Sequence, residues 1–178
     1  MVKIIQRDNP ILRANAGEVN PAAIASPEIK KIIANMKQAL GKEHDGVAIA
    51  APQIGQSLRI VIIAGKIFAP DFDEHKEEQK LKSIPPDVVL INPTITRRSK
   101  EKASVAEGCL SVRWLYGEVS RSVKATATAY NEAGKKITIS GKGLLAQIFQ
   151  HEVDHLEGIL FIDTAKNIKE VPPEKDHA

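Results

Sequence analysis

The sequence predicts an α+β fold in a single domain: short, mostly antiparallel strands around a central helix that carries an HExxH segment. Three observations predict it. Residues 26–41 and 144–157 place apolar side chains at helical spacing, residues 58–64, 88–95 and 119–130 are rich in β-formers, and a turn signal at 131–134 leads into a further short run. The 178 residues fall in the range of one domain, taken as 1–178, and 43% hydrophobic with 26% charged residues is ordinary globular composition.

The first helix is read from its start signals. Ser26 can cap, Pro27 suits the first helical position and Glu28 faces the positive end of the helix dipole. Ile29, Ile32, Ile33, Met36 and Leu40 then line one face, and Gly41 closes the run. Strands follow at Leu58 to Ala64 and Val88 to Ile95. Between them, 69–87 is dense in charge and ends at Pro85-Pro86, so it reads as a solvated insertion or loop. From Val119 to Tyr130, Val119, Val123, Ala125 and Ala127 alternate with Lys124, Thr126 and Thr128, the pattern of one half-buried strand. Asn131 to Gly134 is a turn, and Lys136 to Ser140 returns as its hairpin partner. The last helix is expected from about Leu144 to Glu157 with Gly158 as its stop, and 166–178, with Pro172-Pro173, reads as a tail.

Composition excludes several classes. The longest apolar runs, such as Ile60 to Ala64, fall far short of the roughly 18 residues of a membrane span. The first eight residues carry charge and no apolar stretch, unlike a secretory signal, and a cytoplasmic location is expected. A net charge of +3, evenly mixed, argues against a DNA partner. One cysteine forms no internal disulfide; it is inert, a nucleophile or a metal ligand.

The informative segment is His151-Glu152-Val153-Asp154-His155. Residues four apart on a helix differ by only about 40° in direction, so both imidazoles can grip one ion, and Glu152 can reach water at that ion without ligating it. A solvated helix face bearing two histidines is the bland alternative. Against it, Leu144, Leu145, Ile148 and Leu156 place this helix in the core, where unpaired polar groups are costly. A catalytic centre needs a third protein ligand. A metzincin-type protease would have a histidine where Phe161 stands, and His44, His75 and His177 lie in charged or terminal stretches that read as surface. Cys109, in Glu107-Gly108-Cys109-Leu110-Ser111, is the better third donor, because a thiolate binds Fe(II), Zn, Ni or Co well. Taken alone it is as readily a buried apolar cysteine; the helix lacking a partner moves the balance to ligation. In the small-residue segment Gly46 to Gly55, Gln53 is the single polar side chain. It is a candidate oxyanion donor in what is otherwise a tight apolar loop.

Together these segments resemble the peptide deformylases, whose motifs are Gly-x-Gly-Leu-Ala-Ala-x-Gln, Glu-Gly-Cys-Leu-Ser and Gln-His-Glu-x-x-Asp-His in that order. Here they read Gly46 to Gln53, Glu107 to Ser111 and Gln150 to His155, and Asp8 to Arg13 and Leu90 to Pro93 look like the family too. The resemblance implies a metal-dependent hydrolase that removes the N-formyl group from the N-terminal methionine of nascent polypeptides, with a transient ribosome contact possible. By it, Cys109, His151 and His155 bind the metal, Fe2+ natively with Zn2+, Ni2+ or Co2+ able to substitute. Glu152 is the acid/base, and Gln53 with the Leu110 N–H holds the formyl oxygen. Gly46, Val47, Ala48 and Gly108 would lie along the substrate. Two residues depart from the pattern: Ala48 stands at the motif's second glycine, where a methyl can narrow the pocket, and Ile49 at its leucine. Trp114 and Tyr116 would line the substrate pocket or pack on the surface, and Arg121 would pair with Glu107 or face solvent. The rivals are an HExxH endopeptidase and a non-catalytic module that binds N-termini.

Overall fold

The computed structural model describes residues 2–73, 76 and 80–172. His75, His177, part of the charged 69–87 segment and the end of the 166–178 tail lie outside the described residues.

Helix α1 spans Pro27–Leu40, and its start is the one the sequence signals: the Ser26 hydroxyl accepts from the Ile29 N–H at 3.3 Å. Strands β1 (Ala48–Ala50), β2 (Ile60–Ile63), β3 (Val88–Arg98), β6 (Lys124–Tyr130) and β7 (Lys136–Lys142) form one antiparallel sheet in the order β1-β2-β3-β6-β7. Strands β4 (Lys102–Gly108), β5 (Leu115–Ser122) and β8 (Lys166–Glu170) form a second, in the order β4-β5-β8. Helix α2 spans Leu144–Leu156. The architecture is α+β, with mostly antiparallel strands around α2.

The first sheet is covered on both faces where its strands are most apolar. Ile60 and Ile62 pack with Ile29, Ile33 and Met36 of α1, whereas Val61 and Ile63 pack with Ile148 and Phe149 of α2. A strand buried on both faces needs no polar alternation, which is why 60–63 is an unbroken apolar run. Towards β7 the α2 side is kept apolar by Ala125, Ala127 and Ala129, and the small alanines let the helix sit close. A third cluster, Leu12, Val112, Val119, Leu160 and Phe161, packs beneath the smaller sheet.

The structure corrects the strand reading in four places. Residues 119–130 are two strands in different sheets, broken at Val123, whose N–H donates to the Glu101 carbonyl. The alternation was interrupted at Arg121, and that residue turns inward. Gln150 on α2 holds the crossover, its side chain accepting from Ser122 N–H and donating to Ser122 O, each at 3.0 Å. Strand β4 was not expected; its outer positions are exposed and it contains no large apolar side chain but Val105. The small-residue loop holds the three-residue strand β1. Finally, Lys166–Glu170, read as part of the tail, pairs with β5.

The described part of 69–87 forms no strand or helix and is held by side-chain contacts, one to the 3-10 turn after β2 and one within the segment. The Gly65 N–H donates to Asp87 at 2.9 Å and the Lys82 N–H to Asp71 at 3.0 Å. A Cβ on Gly65 would lie 1.7 Å from the Pro85 carbonyl oxygen, so this crossing requires glycine.

Candidate metal centre

Three donor atoms meet beside α2. Those of Cys109, His151 and His155 all lie within 4.8 Å of one another. Helix α2 supplies both imidazoles from successive turns, and the turn leaving β4 supplies the thiol. The Cys109 Sγ lies 3.1 Å from His155 Nε2 and accepts from the Ser111 N–H at 3.4 Å. Burial pushes the Cys109 thiol up, but the facing histidines outweigh it and bring the group down to about 5, so it favours the thiolate.

A buried ion network holds these donors in place. His151 presents Nδ1 to Glu107 Oε2 at 3.0 Å, which leaves Nε2 for the centre. Glu107 in turn receives Arg121 through two contacts, Nε–Oε1 at 2.7 Å and Nη2–Oε2 at 2.9 Å, and Arg121 also reaches Asp154 at 2.5 Å. Burial pushes the Glu107 carboxyl up, but hydrogen bonds from Arg121 and His151 hold it at about 2. Desolvation works against the His151 charge, yet Cys109 and Glu107 raise it well above the ordinary histidine value. An imidazole whose second nitrogen is fixed by a carboxylate has one tautomer and one orientation, the arrangement found around metal-bound histidines.

Glu152 differs from every other charged group here. It is 5% exposed, and its Oε2 has no hydrogen-bond partner among the described residues; His155 Nδ1 is the other such buried atom. Burial pushes the Glu152 carboxyl above its ordinary value. Leaving a buried carboxyl oxygen unpaired costs stability, and water or an ion at the donors would relieve that cost. The donor set, the fixed His151 and the orphaned oxygen all fit a divalent transition metal.

Beside the donors opens a cavity of about 300 Å³, lined by Gly46, Val47, Ala48, Gln53, Glu107, Gly108, Leu110, Trp114, Tyr116, Leu144, Ile148 and Glu152, among others. All the residues expected along the substrate are therefore on one wall or another of the same space. Gln53 sits in the 3-10 turn Ala51–Ile54 that follows β1. Its Oε1 accepts from the Ala50 N–H at 2.8 Å, and its Nε2 donates to Ser111 at 3.2 Å and towards Cys109 Sγ at 3.6 Å. The amide is thus held with its donor end inward. Ala48 is buried in β1, its methyl absorbed into the cluster against α2. His44 is exposed and away from the donors. Phe161, where a metzincin-type ligand would stand, is core, with its ring stacked 6.3 Å from His151.

Sequence reasoning overlooked the Glu107–His151 contact, the Asp154–Arg121 pair and the role of Ser111 in holding Gln53. Arg121 carried the available signal, a charge at an inward position of a strand.

A helix-borne histidine pair completed by an upstream cysteine, around a buried unpaired carboxyl, is a thiolate–imidazole donor set of the kind a metallohydrolase requires. A family profile described as polypeptide deformylase matches residues 1–171. A peptide deformylase of Desulforudis audaxviator is 37% identical over 166 residues, 93% of this chain and 94% of the relative. Among solved structures, a peptide deformylase of Synechococcus elongatus in complex with actinonin superposes with a TM-score of 0.76 at 30% identity, covering 93% of this chain and 79% of that one. A Met-Ala-Ser-bound class I type b peptide deformylase from Acinetobacter baumannii gives a TM-score of 0.76 at 30% identity, covering 91% and 97%. The chain belongs to the polypeptide deformylase family, metal-dependent hydrolases that remove the N-formyl group from the N-terminal methionine of nascent polypeptides.

Proposed function

We propose that Cys109, His151 and His155 hold one divalent transition metal, natively Fe2+, and that Glu152, Gln53 and the Leu110 N–H carry out formyl hydrolysis around it. The observation that supports this most is the coincidence of three donor atoms within 4.8 Å with a buried, partnerless Glu152 oxygen. Bound there, the ion supplies Lewis-acid chemistry, bringing the pKa of water from about 16 to about 7.

The rest falls to the protein. Glu152 takes the proton of the attacking water, and its raised pKa suits a group that must then give that proton back. Attack at the formyl carbon places negative charge on the formyl oxygen, and the inward Nε2 of Gln53 with the Leu110 N–H donates to it. Glu152 returns the proton to the leaving amine, and formate departs. Leu144, Ile148 and Val47 offer apolar surface to the methionine side chain, and Gly46, Ala48 and Gly108 line the same cavity beside its backbone. The substrate class brings the enzyme to nascent chains in the cytoplasm, with transient ribosome contact. Among the described residues no helix is long and apolar enough to cross a membrane.

Formate release from formyl-Met peptides, measured beside cleavage of internal peptide bonds, tests this reading. We expect formate release alone; internal cleavage would favour an endopeptidase, and neither activity in metal-loaded protein would leave a binding module. Gln53→Ala should lower turnover by about 10²–10³-fold with metal content intact, because one oxyanion donor is lost.

A further inference from the structure

Trp114 is held in an unusual way. Its φ is +66°, a left-handed conformation that a bulky side chain rarely adopts. Strain of this kind persists only where the surroundings impose it, and it clusters at functional sites. Nor is it offset by burial, since Trp114 is 37% exposed. Two contacts fix the residue instead. Its carbonyl accepts from the Val171 N–H at 2.8 Å. The Arg113 guanidinium lies 5.3 Å from the ring centroid. Arg113 is itself anchored across the cavity mouth, to Asp45 at 2.7 Å and to Glu43. Tyr116, 38% exposed, stands beside it, with its ring laid so closely over Gly108 that a Cβ there would come within 2.7 Å of Cε1.

We infer that Trp114 and Tyr116 form an aromatic lip that receives the side chain following the formylated methionine and favours large apolar or aromatic residues there over small polar ones. This rests on the function proposed above. With the formyl group at the metal donors and the methionine side chain against Leu144 and Ile148, an extended chain advances about 3.3 Å per residue, so its next residue reaches the cavity rim. Both rings line that cavity and are its solvent-exposed aromatic surface. The charge of Arg113 is taken up by two carboxylates, so the rim offers ring surface rather than a free cation. Arg113 is a positioning residue: it acts by holding the Trp114 ring.

The test compares formyl-Met-Phe-Ser with formyl-Met-Ser-Ser. Discrimination by an apolar surface typically runs from about tenfold upward, and for half-exposed rings we expect kcat/KM about tenfold higher for the Phe peptide, carried mainly in KM. Trp114→Gly removes the ring and relieves the backbone, so the preference should shrink towards one while thermal stability holds or rises. Arg113→Leu should shrink it too, and the double variant should be no worse than Trp114→Gly alone, as expected of one residue acting through the other. The chain has a single tryptophan, so its emission reports the lip directly. The Phe peptide should shift that emission at lower concentration than the Ser peptide. Equal kcat/KM for the two peptides with unmoved emission, or a preference that survives Trp114→Gly, would overturn the lip. Tighter Phe-peptide binding by emission without formate release would uphold the lip and reject the reaction.

Discussion

Helices α1 and α2 are nearly equal in length, 14 and 13 residues, and cover opposite faces of one sheet, yet they bury different chemistry. Every buried residue of α1 is apolar: Ile29, Ile32, Ile33, Met36, Ala39 and Leu40. The buried set of α2 includes Gln150, Glu152 and His155 beside Ala146, Ile148, Phe149, Val153 and Leu156. Apolar burial stabilises wherever it occurs, whereas a buried polar group stabilises only when fully paired. Gln150 is fully paired and ties α2 to the crossover between the two sheets. Glu152 and His155 each keep an unpaired atom. The first helix therefore serves the fold, and the second gives up part of its packing to hold the donor cluster of His151, His155 and Cys109.

That contrast can be broken from either side. The largest effect on folding should come from α1: Met36→Ala opens a cavity at a fully buried position and should cost about 2–5 kcal/mol in denaturant unfolding. Metal bound per folded chain should stay at the parent level, and a fall in it would mean that the two helices are not separable in this way.

A smaller effect, of opposite character, is expected at the base of the α2 site. Glu107→Gln should weaken metal affinity by about 10–100-fold in competition with a chelator, because His151 loses the carboxylate that orients it. The same variant has an acid signature. The Glu107 pKa is depressed in the folded state, to about 2, so its contribution to stability is present above the ordinary carboxylate pKa and is lost as pH falls through the folded value. Unfolding of metal-free protein between about pH 4.5 and pH 2 should therefore depend less on pH in Glu107→Gln than in the parent. Smallest of the set is Ser26→Ala, which removes the cap of α1 and should cost about 1 kcal/mol in thermal unfolding without changing formate release.

The same contrast explains what could be read from the sequence. Both helices are legible because their signals are local: a cap, a period and a stop within 16 residues for α1, a period and a stop for α2, whose two histidines need only i,i+4 spacing. Cys109 was reached by elimination, since few other side chains could complete the donor set. Pairing of Arg121 with Glu107 is one of two readings open in the sequence; its second partner, Asp154, is not legible, because it lies 33 positions away on another element. The split of 119–130 between two sheets at Val123 is likewise held by a distant residue, Gln150 on α2, which a period-two pattern cannot reveal. The partner of His151 is 44 positions distant and lies in β4, a strand with too few large apolar residues to announce itself. At Trp114 the local residue type points away from the left-handed backbone that its anchors at Val171 and Arg113 impose.

The central claim is that α2 carries the chemistry through Glu152, and Glu152→Gln tests it most directly. The substitution keeps shape and removes the proton carrier, and it exchanges a buried unpaired carboxyl for a neutral amide. Formate release from a formyl-Met peptide should fall by about 10²–10⁴-fold, while metal content by elemental analysis stays at the parent level and thermal stability holds or rises. Turnover near the parent rate in a metal-loaded Glu152→Gln protein would contradict the account.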